Sequence, residues 1–241
     1  MSRRILLLSN SQSHGRGYLE HVEAVVMEFL AGCRHVVFVP YALKDWEGYT
    51  AKAQGVFTQW DLPLEGIHEW HDPVEGVHAA DAIFIGGGNT FRLLDHLHRL
   101  ELIAPIRARA AQGMPYMGSS AGSNVAGPDI KTTNDMPIVQ PPSFAALALV
   151  PFNVNPHYLD ASPDSKHMGE TREQRIREFH EENDAPVVAI REGSLLRIED
   201  SKVTLIGETG GRVFFKDRDP MDCPAGADLS YLFAGPRGRP G

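Results

Sequence analysis

Apolar residues occur along this chain in two kinds of run. The first kind is short and unbroken: Ile5-Leu6-Leu7-Leu8, Val36-Val37-Phe38-Val39, Ala82-Ile83-Phe84-Ile85 and Val187-Val188-Ala189-Ile190. Runs without polar alternation predict strands covered on both faces. The second kind recurs at helical spacing. Leu19, Val22, Val25, Val26, Phe29 and Leu30 mark a helix that Gly32 can stop, and Leu93, Leu94 and Leu97 mark another. Residues 45–60 predict a helix with Asp45 at its N-cap, and Asp72-Pro73 opens a short one. Residues 102–111 give a further helix ending at Gly113, and residues 66–70 are assigned a weaker strand.

Strands alternating with helices through the first half predict an α/β fold, a mostly parallel sheet flanked by helices. The second half differs. An apolar run over 147–154 ends at Asn155-Pro156-His157-Tyr158. Thr171-x-x-Gln174 is a capping box opening a helix, with Glu173 and Arg177 as an i,i+4 pair. β-like runs over 195–198, 203–206 and 213–215 are separated by short Gly or Ser turns and predict a C-terminal antiparallel β extension, built as a meander. The expected organisation is one α/β domain over 1–223 and a frayed tail, rich in Gly, Pro and Ala, over 224–241.

Bulk numbers exclude more than they assign. The 241 residues carry a formal net charge of −8, with no basic run for nucleic acid to bind. An anionic ligand is repelled at long range by such a chain, so it needs a local cation. No apolar stretch approaches a membrane span, and the first apolar run is too short for a signal peptide, so a first strand is the expectation. Cys33 and Cys223 fit no metal or redox motif, which suits a cytoplasmic location. His96/His98 and His68/His71 lack a third ligand at metal-site spacing, so neither a metal nor any other cofactor is expected. Quaternary state is not readable, and a homodimer is admitted.

The chemistry gathers where the predicted strands end, as ligands do in parallel α/β sheets. Gly118-x-Ser120-x-Gly122 suits a sharp strand-to-helix turn with a serine at its apex. Ser120 is the candidate nucleophile, and a serine hydroxyl needs a base. His157 ends another strand and is the candidate base. Glu192 follows the 187–190 strand and is the favoured partner of His157, while Asp135 is the alternative relay acid or a structural turn residue. Gly86-Gly87-Gly88 can cradle a phosphate on its N–H groups. Alternatively, Gly88 and the Ala121 N–H supply an oxyanion hole, the reading preferred beside a candidate serine. Serine, histidine, glutamate is not the chain order of an ordinary α/β-hydrolase, which places its histidine last.

Several stretches carry a wider likeness: Gly86-Gly87-Gly88-Asn89-Thr90-Phe91, Ser120-Ala121-Gly122, Thr132-Thr133-Asn134-Asp135-Met136-Pro137-Ile138-Val139, Asn155-Pro156-His157 and Gly169-Glu170-Thr171-Arg172-Glu173-Gln174-Arg175-Ile176-Arg177. With Leu6-Leu7-Leu8-Ser9-Asn10-Ser11 they span nearly the whole chain, which resembles the peptidase E family of α-aspartyl dipeptidases, whose fold is related to class I glutamine amidotransferases. The resemblance implies a serine-type peptidase acting on dipeptides with N-terminal aspartate. It places the nucleophile on Ser120, the histidine on His157 and the third member on Glu192; an older description of the relay falls on Asp135. Such a substrate needs a cation for its side-chain carboxylate, and Arg172 is the candidate, with Arg175 a weaker alternative. Asn89 or Glu170 is expected to help hold the ammonium. Ser119 departs from a tryptophan expected in enterobacterial relatives, and a small residue there is expected to widen the site. The rival expectations are a cyanophycinase-like or other serine exopeptidase on the same scaffold, and a non-catalytic phosphate- or small-molecule-binding module built on residues 86–89.

Overall fold

The structure, a computed structural model, describes residues 3–161 and 169–234. It contains two sheets. The larger is seven-stranded and uses β1 (Arg4–Leu8), β2 (Val36–Val39), β3 (Leu64–Gly66), β4 (Ala82–Ile85), β5 (Tyr116–Ser119), β8 (Ser194–Glu199) and β9 (Lys202–Gly207), in the order β3-β2-β4-β5-β1-β8-β9. The strands from β3 to β1 are parallel; β8 and β9 add antiparallel to the β1 edge. The smaller is four-stranded, ordered β11-β10-β7-β6, from β6 (Asn153–Tyr158), β7 (Val187–Arg191), β10 (Gly211–Phe214) and β11 (Met221–Cys223). In it β6 and β7 are parallel and the rest antiparallel.

The unbroken apolar runs have a direct cause. Ile5, Leu7, Val37, Val39, Ile83 and Ile85 face one core, together with Leu93, Leu94 and Leu97 of α4 (Thr90–Arg99) and Ile106 of α5 (Ile103–Ala111). Leu6, Leu8, Val36, Phe38, Ala82 and Phe84 face the opposite one, with Val26 and Phe29 of α1 (Glu23–Phe29) and Ala53 and Phe57 of α2 (Trp46–Gln59). Each strand therefore buries both sets of alternating side chains. α3 (Pro73–Ala79) adds Val77 to the first core. A third cluster joins Ile176 and Phe179 of α7 (Arg172–Glu182) to Tyr158, Val187 and Phe214 of the smaller sheet.

Helix starts follow local capping chemistry. The Asp45 carboxylate accepts the Gly48 N–H at 2.9 Å, and Asp72 accepts that of Val74 at 2.8 Å. Thr171 and Gln174 close a reciprocal box, at 3.1 and 2.7 Å.

Three expectations need correction. The strand assigned to 66–70 lies earlier, at β3, and Ile67–Glu69 is a single 3-10 turn whose Glu69 carboxylate accepts the Gly66 N–H. The terminal meander is broken. β8 and β9 pair with each other, but turns with positive φ at Gly207 and Gly210 carry the chain across to β7, where β10 pairs. The tail is packed from 224 to 234. It lays Gly226, Ala227 and Leu229 along the free edge of β9 by backbone hydrogen bonds to Leu205 and Val203, and buries Leu229 and Leu232. An open strand edge is a strong acceptor of extra backbone pairing, whatever the composition of the segment. Residues 235–241 lie outside the described residues.

Candidate active site

The serine turn is built by its glycines. β5 ends at Ser119 and α6 (Ala121–Asn124) begins immediately after Ser120. A β-carbon on Gly118 would lie 2.4 Å from the Gly122 carbonyl oxygen, and one on Gly122 would lie 2.1 Å from that of Ile85. Neither position admits a side chain, so the helix can press against β4 and β5. Ser120 takes φ 51 and ψ −109, a costly backbone for a residue with a β-carbon. The Ser123 hydroxyl, bonded to the carbonyls of Leu8 (2.7 Å) and Gly118 (2.9 Å), and the Tyr116 hydroxyl, bonded to that of Gly122 (2.6 Å), hold the turn from beneath.

His157 reaches this serine from the other sheet. The register of β6 against β7 shifts between Asn155 and Tyr158, around Pro156, which has no N–H to donate. His157 adopts φ 53 there, and its Nε2 lies 2.9 Å from Ser120 Oγ. Its Nδ1 lies 2.7 Å from Glu192 Oε1. Glu192 stands just past β7, in a turn closed by Gly193 at φ 80. The expectation that His157 and Glu192 share a strand-end edge with Ser120 therefore takes a different form. The two strand ends belong to the smaller sheet and meet those of the larger one.

The joint between the sheets runs through residues that strand periodicity did not single out. Ser9 Oγ accepts the His157 backbone N–H at 2.9 Å and donates to the Ile190 carbonyl at 2.9 Å, so one hydroxyl ties β1 to the ends of β6 and β7. Asn10 Oδ1 accepts the Gly193 N–H at 2.9 Å. The one available signal was a pair of small polar residues directly after β1, beside the serine strand.

Asp135 is elsewhere. Its Oδ2 accepts the Thr90 N–H at 2.7 Å and the Thr90 hydroxyl at 2.6 Å, at the start of α4. The same loop is stitched to β6: Asn134 Nδ2 donates to the Pro156 carbonyl and Asn155 Nδ2 to that of Thr132. Asp135 is a brace between α4 and the strand that carries His157, and it makes no hydrogen bond to the imidazole.

The glycine turn leaves one donor. Gly86 N–H is taken by Val39 and Gly87 N–H by the Tyr49 hydroxyl, at 3.1 and 2.8 Å. Among the described residues, the N–H groups of Gly88 and Ala121 donate to no protein acceptor. A β-carbon on Gly87 would meet that of Ser120 at 3.1 Å, so the turn lies directly against the serine. Two of the donors that a phosphate cradle would use are thus committed internally. One free N–H from each of two turns instead suits a single developing charge.

Arg172, Asn89, Glu170 and Ser119 fall out differently. Arg172 starts α7, and among the described residues its side chain makes neither a hydrogen bond nor an ion pair. Partial burial draws its guanidinium below its ordinary range; neighbouring Arg175 adds to this, and the carboxylate of Asp135 opposes it. Arg175 and Arg177 are committed to Glu170 and Glu173. Asn89 caps α4, accepting the Arg92 N–H and donating to the Met136 carbonyl. Glu170 is exposed and paired with Arg175 at 3.5 Å. Ser119 is fully buried in β5, and its hydroxyl has no partner among the described residues. It does not line the cavity beside Ser120.

Residues 5–206 match the model of Peptidase family S51. The chain belongs to this family. It is 52% identical over 228 residues to a peptidase E of Streptomyces coelicolor, covering 95% of this chain and 94% of the relative. It is 46% identical over 234 residues to a Drosophila melanogaster protein named "Probable alpha-aspartyl dipeptidase", covering 96% of this chain and 98% of the relative. A crystal structure of a peptidase from an acI-B1 Actinobacterium superposes with a TM-score of 0.70 at 16% identity, over 95% of this chain and 97% of that one; at that identity the likeness is one of fold. The S51 match runs from β1 into β9, and so includes Ser9, Gly88, Ser120, His157 and Glu192. Among the described residues, no helix is long and apolar enough to cross a membrane.

Proposed function

We propose that this family S51 member is a serine-type dipeptidase that hydrolyses Asp-Xaa dipeptides through an acyl-enzyme. The observation that carries the reading is the continuous chain from Ser120 Oγ through His157 to Glu192, at 2.9 and 2.7 Å, beside two free N–H groups. Ser120 attacks the carbonyl carbon of the Asp–Xaa bond while His157 Nε2 takes its proton. Glu192 fixes the imidazole tautomer and stabilises the imidazolium that forms. The Gly88 and Ala121 N–H groups stabilise the oxyanion, and the start of a helix adds a favourable dipole. His157 then protonates the leaving amine. Water, deprotonated by His157, attacks the ester and releases aspartate. No step calls for a metal or an organic cofactor.

Arg172 is the group proposed to hold the aspartyl side-chain carboxylate. That its side chain has no partner among the described residues supports this, since a guanidinium already paired with an acid cannot accept a substrate carboxylate at little cost. Asp135, its electrostatic neighbour, suits the substrate ammonium better than Asn89: the Asp135 Oδ2 holds Thr90 but its Oδ1 accepts no hydrogen bond among the described residues, whereas both ends of the Asn89 side chain are taken.

A dipeptide panel tests the reading. Purified protein is expected to hydrolyse Asp-Leu, to leave β-Asp-Arg and N-blocked Asp-Leu intact, and to lose turnover in Ser120→Ala with its melting temperature held. Preference for β-Asp-Arg, or full activity in Ser120→Ala, overturns it.

A further inference from the structure

A cavity of about 570 Å³ opens beside Ser120 and His157, between α2 and the loop that follows β1. It contains neither Arg172 nor Asp135, so the groups proposed for the aspartyl residue do not line it. His157 does, and its Nε2 must deliver a proton to the departing amine. The leaving amino acid therefore departs into space that His157 borders.

That amino acid carries a free carboxylate in a dipeptide and none at the same position in a longer peptide. The cavity is lined by one lysine and no arginine, the lysine being Lys52 of α2. Lys52 Nζ is oriented by Gln12 Oε1 at 3.2 Å and lies 4.7 Å from the centre of the Tyr18 ring. Among the described residues it has no acidic partner. Asp45, the acid in the same lining, is turned to its own helix by the Gly48 N–H. Several arginines elsewhere pair with acids: Arg99 with Asp95, Arg191 with Asp160 and Asp222, Arg197 with Glu28 and Glu199. In a chain of net charge −8, an oriented cation left without an acid beside the candidate nucleophile is placed for an anion.

We propose that Lys52 binds the C-terminal carboxylate of the leaving residue and so restricts cleavage to dipeptides, an inference that rests on the dipeptidase reading above. A charge-assisted contact of this kind strengthens binding of the free acid and leaves the chemistry at Ser120 alone.

The test compares Asp-Leu with Asp-Leu-NH2 in the wild type, Lys52→Met and Lys52→Arg. Lys52 is exposed, so its replacement leaves the core intact. The wild type is expected to favour the free acid. Lys52→Met is expected to raise KM for Asp-Leu about tenfold, with kcat little changed and the amide unaffected within about twofold. Lys52→Arg is expected to keep the preference for the acid. Equal losses on acid and amide in Lys52→Met, or no loss on either, overturn this role while wild-type turnover of Asp-Leu keeps the dipeptidase reading. Failure of the wild type on both substrates overturns both.

Discussion

Ser9 holds His157 by its backbone. The serine hydroxyl accepts the His157 N–H at 2.9 Å and donates its own O–H to the Ile190 carbonyl at the same distance. A histidine at φ 53 has left the ordinary strand path, and this bond fixes the new one. Ser9→Ala is expected to lower kcat about tenfold with KM little changed, because a small misplacement of the base is costly. It is also expected to cost about 1–3 kcal/mol of stability, since a buried N–H loses its acceptor. Steady-state kinetics and urea unfolding on one preparation check both.

Glu192 and Asp135 should separate cleanly. Glu192→Gln is expected to reduce kcat by about 10²–10⁴ with stability unchanged, because the amide no longer stabilises the imidazolium. Asp135→Asn leaves the contact between His157 and Glu192 in place but weakens the acceptor for Thr90 N–H and Oγ1. It is expected to lower stability by about 1–3 kcal/mol and to raise KM more than it lowers kcat. Comparing kcat, KM and melting temperature for the two variants decides the matter.

Gly122→Ala is expected to be among the more damaging methyl additions. Its β-carbon would enter to 2.1 Å of the Ile85 carbonyl oxygen, and backbone cannot swing aside as a side chain can. A loss of about 3 kcal/mol or more in chemical denaturation is expected, together with loss of the serine geometry.

Acid sensitivity should appear well above the carboxylate range. Burial of His180, in the last turn of α7, depresses its imidazole from the ordinary 6.5; Lys216 adds to this, and the Ala185 carbonyl and Asp184 oppose it. A depressed folded value means that the unfolded chain binds the proton more tightly. The stabilising contribution is therefore whole above pH 6.5 and declines as pH falls towards the folded value. The melting temperature is expected to drop on acidification through this window, and His180→Gln is expected to flatten that part of the curve.

What the sequence disclosed was local. Asp45, Asp72 and Thr171 act on backbone within a few residues of themselves, so their spacing alone gave their roles. The same holds for Gly118 and Gly122, where the pattern encodes a steric demand. Long-range choices were not written locally. Ser9 finds partners at 157 and 190, and no spacing marks it. β10 had two sheets to join, and its composition favours neither. Glu192 and Asp135 are both strand- or loop-end acids, and only distance tells the one beside the imidazole from the one beside Thr90. The tail looked disorderly by composition, yet the free edge of β9 ordered 224–234.

Ser120 hangs from the larger sheet, whereas His157 and Glu192 hang from the smaller. The proton transfer proposed between them is thus a ruler laid across a seam. A slip of one sheet past the other by an ångström would part nucleophile from base while leaving every ladder of hydrogen bonds within each sheet intact. On the proposed mechanism, turnover therefore reads the alignment of the two sheets, and heat or denaturant is expected to silence it while helices and strands still stand.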